Sequence, residues 1–81
     1  MQTTVAVMGI IVKDTHAVEQ LNATLHAYGE HIIGRMGLPY RQKGIHIISI
    51  ALDAPKTIIA ELADKLGALD GVSVQTAYSE T

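Results

Sequence analysis

Eighty-one residues without cysteine, at a formal net charge of -2 and a pI near 6.0, describe one small domain over residues 1–81 that must be stabilised by packing, within the chain or between copies. The acidic balance argues against a protein that binds nucleic acid directly through a dominant basic surface, because such binding rests on Lys and Arg displacing counterions from phosphates. Apolar residues reach 48% and the mean hydropathy is +0.25, yet no apolar run approaches the roughly 18 residues of a membrane helix.

The N-terminus, Met1-Gln-Thr-Thr, has no basic region ahead of its apolar stretch and no small-residue cleavage pattern, so a cytoplasmic protein is expected. Residues 4–12 are apolar at nearly every position, the pattern of a strand buried on both faces. Asp14 or Thr15 then caps a helix in which Val18, Leu21, Leu25 and Tyr28 fall on one face, with Gly29 as its terminator. Residues 31–38 and 45–52 read as two strands of a hairpin joined through 39–44, with Pro39 suiting an edge position. Asp53-Ala-Pro55 opens a second helix whose buried stripe is Ile58, Leu62 and Leu66, with Ile59 and Ala63 beside them. Gly67 closes it, Asp70-Gly71 marks a turn, and residues 72–78 alternate as a half-buried fourth strand.

The order βαββαβ predicts an α+β, ferredoxin-like fold, a four-stranded antiparallel sheet with two helices on one face. Two helices cover one sheet face only. The first and third strands are apolar on both parities, so the other face presents Val, Ile, Met and Ala side chains to a partner, and a symmetric homo-oligomer, dimer or tetramer, is the economical solution.

The run Asn22-Ala-Thr-Leu25-His26-Ala-Tyr28-Gly-Glu-His31-Ile32-Ile-Gly-Arg35-Met-Gly37-Leu-Pro39-Tyr-Arg41, followed by the apolar strand from Ile45, resembles the small family of iron-only hydrogenase system regulators, which are similar to the broader ACT-type regulatory domains. The resemblance covers nearly the whole chain. It implies a small regulatory domain that assembles through sheets or helices and senses a small-molecule effector, of unknown identity, at interfaces between copies, or docks to a partner protein. In ACT-type domains the loop from the first strand to the first helix often carries a glycine that lets the backbone approach an amino acid. Here that loop is Lys13-Asp14-Thr15-His16 and has none, which leaves Asp14, Thr15 and His16 as contacts for a polar ligand or simply as helix caps.

Arg35, Arg41 and Lys43 are three basic residues with no acid among them, and Arg35, Tyr40 and Arg41, with His26 nearby, are the expected contacts for an anionic or polar ligand. The nickel-responsive repressors, which share the fold, resemble this chain less closely at the metal: a His-x-His pair and a cysteine are replaced by His46-Ile47-Ile48 and no cysteine, so no metal site is expected within one chain. Histidines gathered between subunits would be needed for a metal sensor. The eight carboxylates are scattered and no nucleophile, base and orienting group fall together, so no enzyme is expected. A pure assembly domain without a ligand is the remaining alternative. No helix-turn-helix or ribbon-helix-helix segment is left over for DNA.

Overall fold

A computed structural model describes residues 2–79. Its elements follow the expected order: β1 (Thr4–Val12), α1 (Val18–Ala27), β2 (Ile32–Tyr40), β3 (Ile45–Ala54), α2 (Lys56–Gly67) and β4 (Val72–Tyr78). The strands form one antiparallel sheet in the order β2-β3-β1-β4, the ferredoxin-like arrangement with β1 and β3 at the centre. Pro39 lies in the edge strand β2, where its missing N–H costs no ladder bond on the open side. No helix among the described residues is long and apolar enough to cross a membrane.

Alternation along the strands sorts side chains onto two faces. Ala6, Met8, Ile10 and Val12 of β1 and Ile48, Ile50, Leu52 and Ala54 of β3 point to the helices and are buried. They meet Leu21 and Leu25 of α1, Tyr28 just beyond its end, and Ile59, Leu62 and Leu66 of α2. Each large aliphatic side chain so buried contributes about 1.5–3 kcal/mol, before chain entropy is charged against it. The stripe of α2 is therefore rotated slightly from the expected one: Ile59 is fully buried, whereas Ile58 and Ala63 only flank the core.

Element ends differ from the sequence reading for local reasons. Asp14 caps a single 3-10 turn, Thr15–Ala17, by accepting the His16 N–H at 2.9 Å, and the α-helix proper begins one turn later at Val18. Gly29 does not terminate α1 in a left-handed conformation. The helix ends at Ala27 and the chain tightens into a second 3-10 turn, Gly29–His31, in which the His31 N–H donates to the Tyr28 carbonyl at 2.9 Å. His31 thus precedes β2. Strand β3 runs on to Ala54, and Pro55 sits just ahead of α2, its carbonyl accepting from the N–H groups of Ile58 and Ile59.

Tyr28 ties the two helices together. Its ring is buried, its hydroxyl donates to Glu61 Oε2 at 2.5 Å, and the Lys65 ammonium stands 5.2 Å from the ring centroid. The Tyr28 hydroxyl, and to a smaller extent the Glu61 carboxylate, hold the Lys65 ammonium above its usual pKa. Tyr28→Phe keeps the ring and removes the hydrogen bond, and is expected to lower the unfolding free energy by about 1 kcal/mol in urea titrations. A loss well under half that figure would mean that water replaces the phenol without penalty.

The opposite sheet face carries no helix. A bulge at Ile33, between the pairs Ile32–Leu52 and Gly34–Ala51, shifts the phase of β2 and turns Gly34, Met36, Leu38 and Tyr40 to this face. Across the sheet the rows are Gly34, Ala51, Val7 and Ala77; then Met36, Ser49, Gly9 and Gln75; then Leu38, Ile47, Ile11 and Ser73. Val5, Val7, Met36, Leu38 and Tyr40 are 45%, 49%, 60%, 53% and 39% exposed. The expectation that β1 is covered on both sides therefore does not hold within one chain, because two helices reach only one face.

Candidate functional site

The tip of the β2–β3 hairpin is built by its sequence. Arg41–Lys43 form a 3-10 turn, and Gly44 closes it at φ 63° with its N–H donating to the Arg41 carbonyl at 3.1 Å. That left-handed backbone is the conformation glycine adopts without penalty. Tyr40 is steadied there by donating its hydroxyl to Gln42 Oε1 at 2.7 Å.

Register then sets what the tip faces. Pro39 pairs with His46 and His46 with Val12, all on the helix side of the sheet, which brings the hairpin beside the turn that starts at Thr15. A cavity of about 450 Å³ lies between them, lined by Thr15, Pro39, Tyr40, Arg41, Gly44, Ile45 and His46. Its wall is mainly apolar. Among the described residues, the Arg41 guanidinium, the Thr15 hydroxyl and the half-buried His46 ring make no hydrogen bond or ion pair with other side chains. Residues 31–52 contain no Asp or Glu, and among the described residues neither Arg41 nor Lys43 makes an ion pair.

A second cavity, of about 350 Å³, is lined by Asp14, His16, Ala17, Glu19, Gln20 and Asp70. With three carboxylates and one imidazole it has the opposite electrostatic character, and it disfavours anions. Among the described residues no three His, Asp or Glu side chains stand together in a way that could hold a metal ion.

The sequence-predicted contacts are thus divided. Thr15, Tyr40 and Arg41 share the hairpin cavity, whereas Asp14 and His16 line the acidic one. Arg35 sits midway along β2 and donates from Nη2 to Asn22 Oδ1 of α1 at 2.7 Å, and His26 lines neither cavity. Because the Arg35–Asn22 bond is exposed to solvent, Arg35→Ala is expected to change the unfolding free energy by less than about 1 kcal/mol, checked by chemical denaturation. Pro39, Gly44, Ile45 and His46 are the additions that sequence reasoning did not make. The signal for them is the register of the hairpin, which becomes readable only once the turn is known to span 41–44.

Fold and site together describe a ferredoxin-like α+β domain with a bare apolar sheet face and a small basic cavity at one end of it. The chain belongs to the TM1266-like family, described as "Iron-only hydrogenase system regulator, putative", whose model matches residues 4–76. The solved structure of the uncharacterized protein TM1266 from Thermotoga maritima is similar over 98% of this chain and 100% of that one, at 31% identity and a TM-score of 0.94. A formyltetrahydrofolate deformylase from Pseudomonas putida KT2440 is similar over 90% of this chain but 28% of its own, at 14% identity and a TM-score of 0.65, a likeness of fold alone. No curated protein matches the chain.

Proposed function

We propose that this chain is a regulatory domain that works as a symmetric homo-oligomer, its copies meeting across the helix-free face of the sheet and responding to a small effector. The observation that carries this reading is the set of exposed Val5, Val7, Met36 and Leu38 on a face that nothing among the described residues covers. A second copy is the occupant that fits it. Asp53, at the margin, is the one charged side chain that the four strands turn to this face, so the surface meets its own copy without like charges opposed.

Four strands about 4.8 Å apart, with about seven residues each at 3.3 Å, make a face of roughly 20 by 25 Å. Two such faces bury on the order of 1,000 Å², the size at which specific interfaces begin. Family membership supports the regulatory part of the reading. The ACT-like resemblance supports effector sensing between copies, and we extend the reading to control of transcription through a DNA-binding partner.

Native mass spectrometry of the purified chain tests this. A dimer or tetramer that persists at micromolar concentration is the expected result, and a monomer at every concentration would remove the reading.

A further inference from the structure

Resting on the effector-sensing reading above, we propose that the hairpin cavity binds small carboxylates that carry an apolar body, with Arg41 as the ion-pairing group and Thr15 and His46 as hydrogen-bonding groups. Four features of the cavity converge on that chemistry. The Arg41 guanidinium has no ion-pair partner among the described residues and lies in a stretch, 31–52, without a carboxylate. Its planar fork matches the two oxygens of a carboxylate in a bidentate pair. Among the described residues the Thr15 hydroxyl and the His46 ring make no hydrogen bond to another side chain, and both residues line the cavity, where they are free to bond a ligand oxygen. Pro39, Tyr40, Gly44 and Ile45 complete the lining, whose exposed surface is mainly apolar.

Size and charge narrow the class. A cavity of about 450 Å³ is within the range of small-ligand sites, roughly 300–1,000 Å³. Its lining has one permanent cation, which balances a monocarboxylate and leaves a phosphate dianion half-neutralised in a mostly apolar wall. The neighbouring cavity, with Asp14, Glu19 and Asp70, repels the same ligand, so the preference is local to the hairpin.

The site also touches the proposed interface. Tyr40 and Ile45 pair with each other at the end of the helix-free face and line the cavity as well. A copy seated on that face would abut the bound molecule. Any change that assembly makes in ligand affinity must then be matched by an equal effect of the ligand on assembly.

Benzoate, titrated into the isotope-labelled protein with backbone amide resonances followed by NMR, tests the assignment. The expected result is saturable shifts at Thr15, Arg41, Gly44 and His46, with benzyl alcohol and inorganic phosphate binding at least tenfold more weakly. Arg41→Gln should weaken benzoate about tenfold or more, the scale of a lost charge-assisted pair, and His46→Gln several-fold, with the remaining resonances unmoved in both. Shifts that do not saturate, that gather instead at Asp14 and His16, that phosphate reproduces at lower concentration, or that survive Arg41→Gln would overturn it. The oligomeric state is recorded in the same samples. An intact oligomer without benzoate binding removes this site and leaves the assembly reading standing, whereas benzoate binding by a monomer does the reverse.

Discussion

Gly9→Lys is expected to leave the chain folded and to convert the proposed homo-oligomer to monomers. Gly9 is at the centre of β1, on the helix-free face, beside Ser49 and Gln75. Its φ is not positive, and a Cβ added there would meet only the Gln75 carbonyl oxygen at 3.9 Å, an ordinary contact. Nothing in the isolated chain therefore requires glycine. Since glycine in a strand costs about 0.5–1 kcal/mol relative to alanine, its replacement should hold or slightly raise monomer stability. What a glycine at this point permits is close approach of another backbone, the usual reason for one inside a strand.

A lysine there would place an unpaired ammonium in the middle of each copy's contact, at a cost of several kcal/mol for the pair, so the dissociation constant should rise by about a thousandfold or more. Sedimentation velocity reads this directly. Thermal unfolding gives a second reading: the wild-type midpoint should climb with protein concentration and the variant's should not. Ala60→Lys, exposed on α2 on the opposite side, is the control that adds the same charge without touching the face. An oligomer that survives Gly9→Lys would show that copies meet elsewhere.

The elements were readable because their periods differ sharply. Two-sided apolar strands, a three-four-three spacing in α1 and clean alternation in β4 leave little freedom in the order βαββαβ, and the structure follows it. The face assignment of β2 was not readable. Strict alternation from Ile32, which faces the helices opposite Leu52, would send Gly34, Met36 and Leu38 inward as well. The bulge at Ile33 reverses them, and no Gly or Pro at that residue announces it. Met36 and Leu38 joined the bare face through that one inserted residue.

The candidate site was partly readable for a related reason. Thr15, Tyr40 and Arg41 are close in space because the hairpin returns past the β1–α1 turn, which follows from the topology. Arg35 stands near them in the chain, but the five residues of extended strand that separate it from Tyr40 span about 17 Å, and its guanidinium meets Asn22 on the helix. His46 stands on a central strand, where a lone histidine is ordinarily structural. Only its pairing with Pro39, fixed by the length of the turn, shows that it borders the cavity.

Gly71→Ala is expected to be the most destabilising of the conservative substitutions considered, lowering the unfolding free energy by about 2–4 kcal/mol. Two separate demands meet at this residue. Its φ is 75°, a conformation that costs an L-residue about 1–2 kcal/mol. A Cβ would also stand 2.8 Å from Asp14 Cβ and 3.1 Å from the Asp14 backbone nitrogen, and neither atom belongs to the free end of a flexible side chain. The two segments cannot simply part, because the Lys13 N–H donates to the Gly71 carbonyl at 2.7 Å and Asp14 caps the following turn through His16. For a chain of this length the whole stability is about 4–12 kcal/mol, so the melting temperature should fall by roughly 10–20 °C. Gly71→Asn separates the causes, since asparagine tolerates the left-handed region but carries the same Cβ. If collision dominates, it should be nearly as damaging as alanine. Gly44→Asn supplies the contrast, because Gly44 shares the positive φ, at 63°, with no atom within 4 Å of a Cβ, and it should cost less than about 1 kcal/mol. Melting curves followed by circular dichroism would decide the matter, and a Gly71→Ala midpoint within about 3 °C of wild type would mean that the Asp14 loop yields where the packing says it is held.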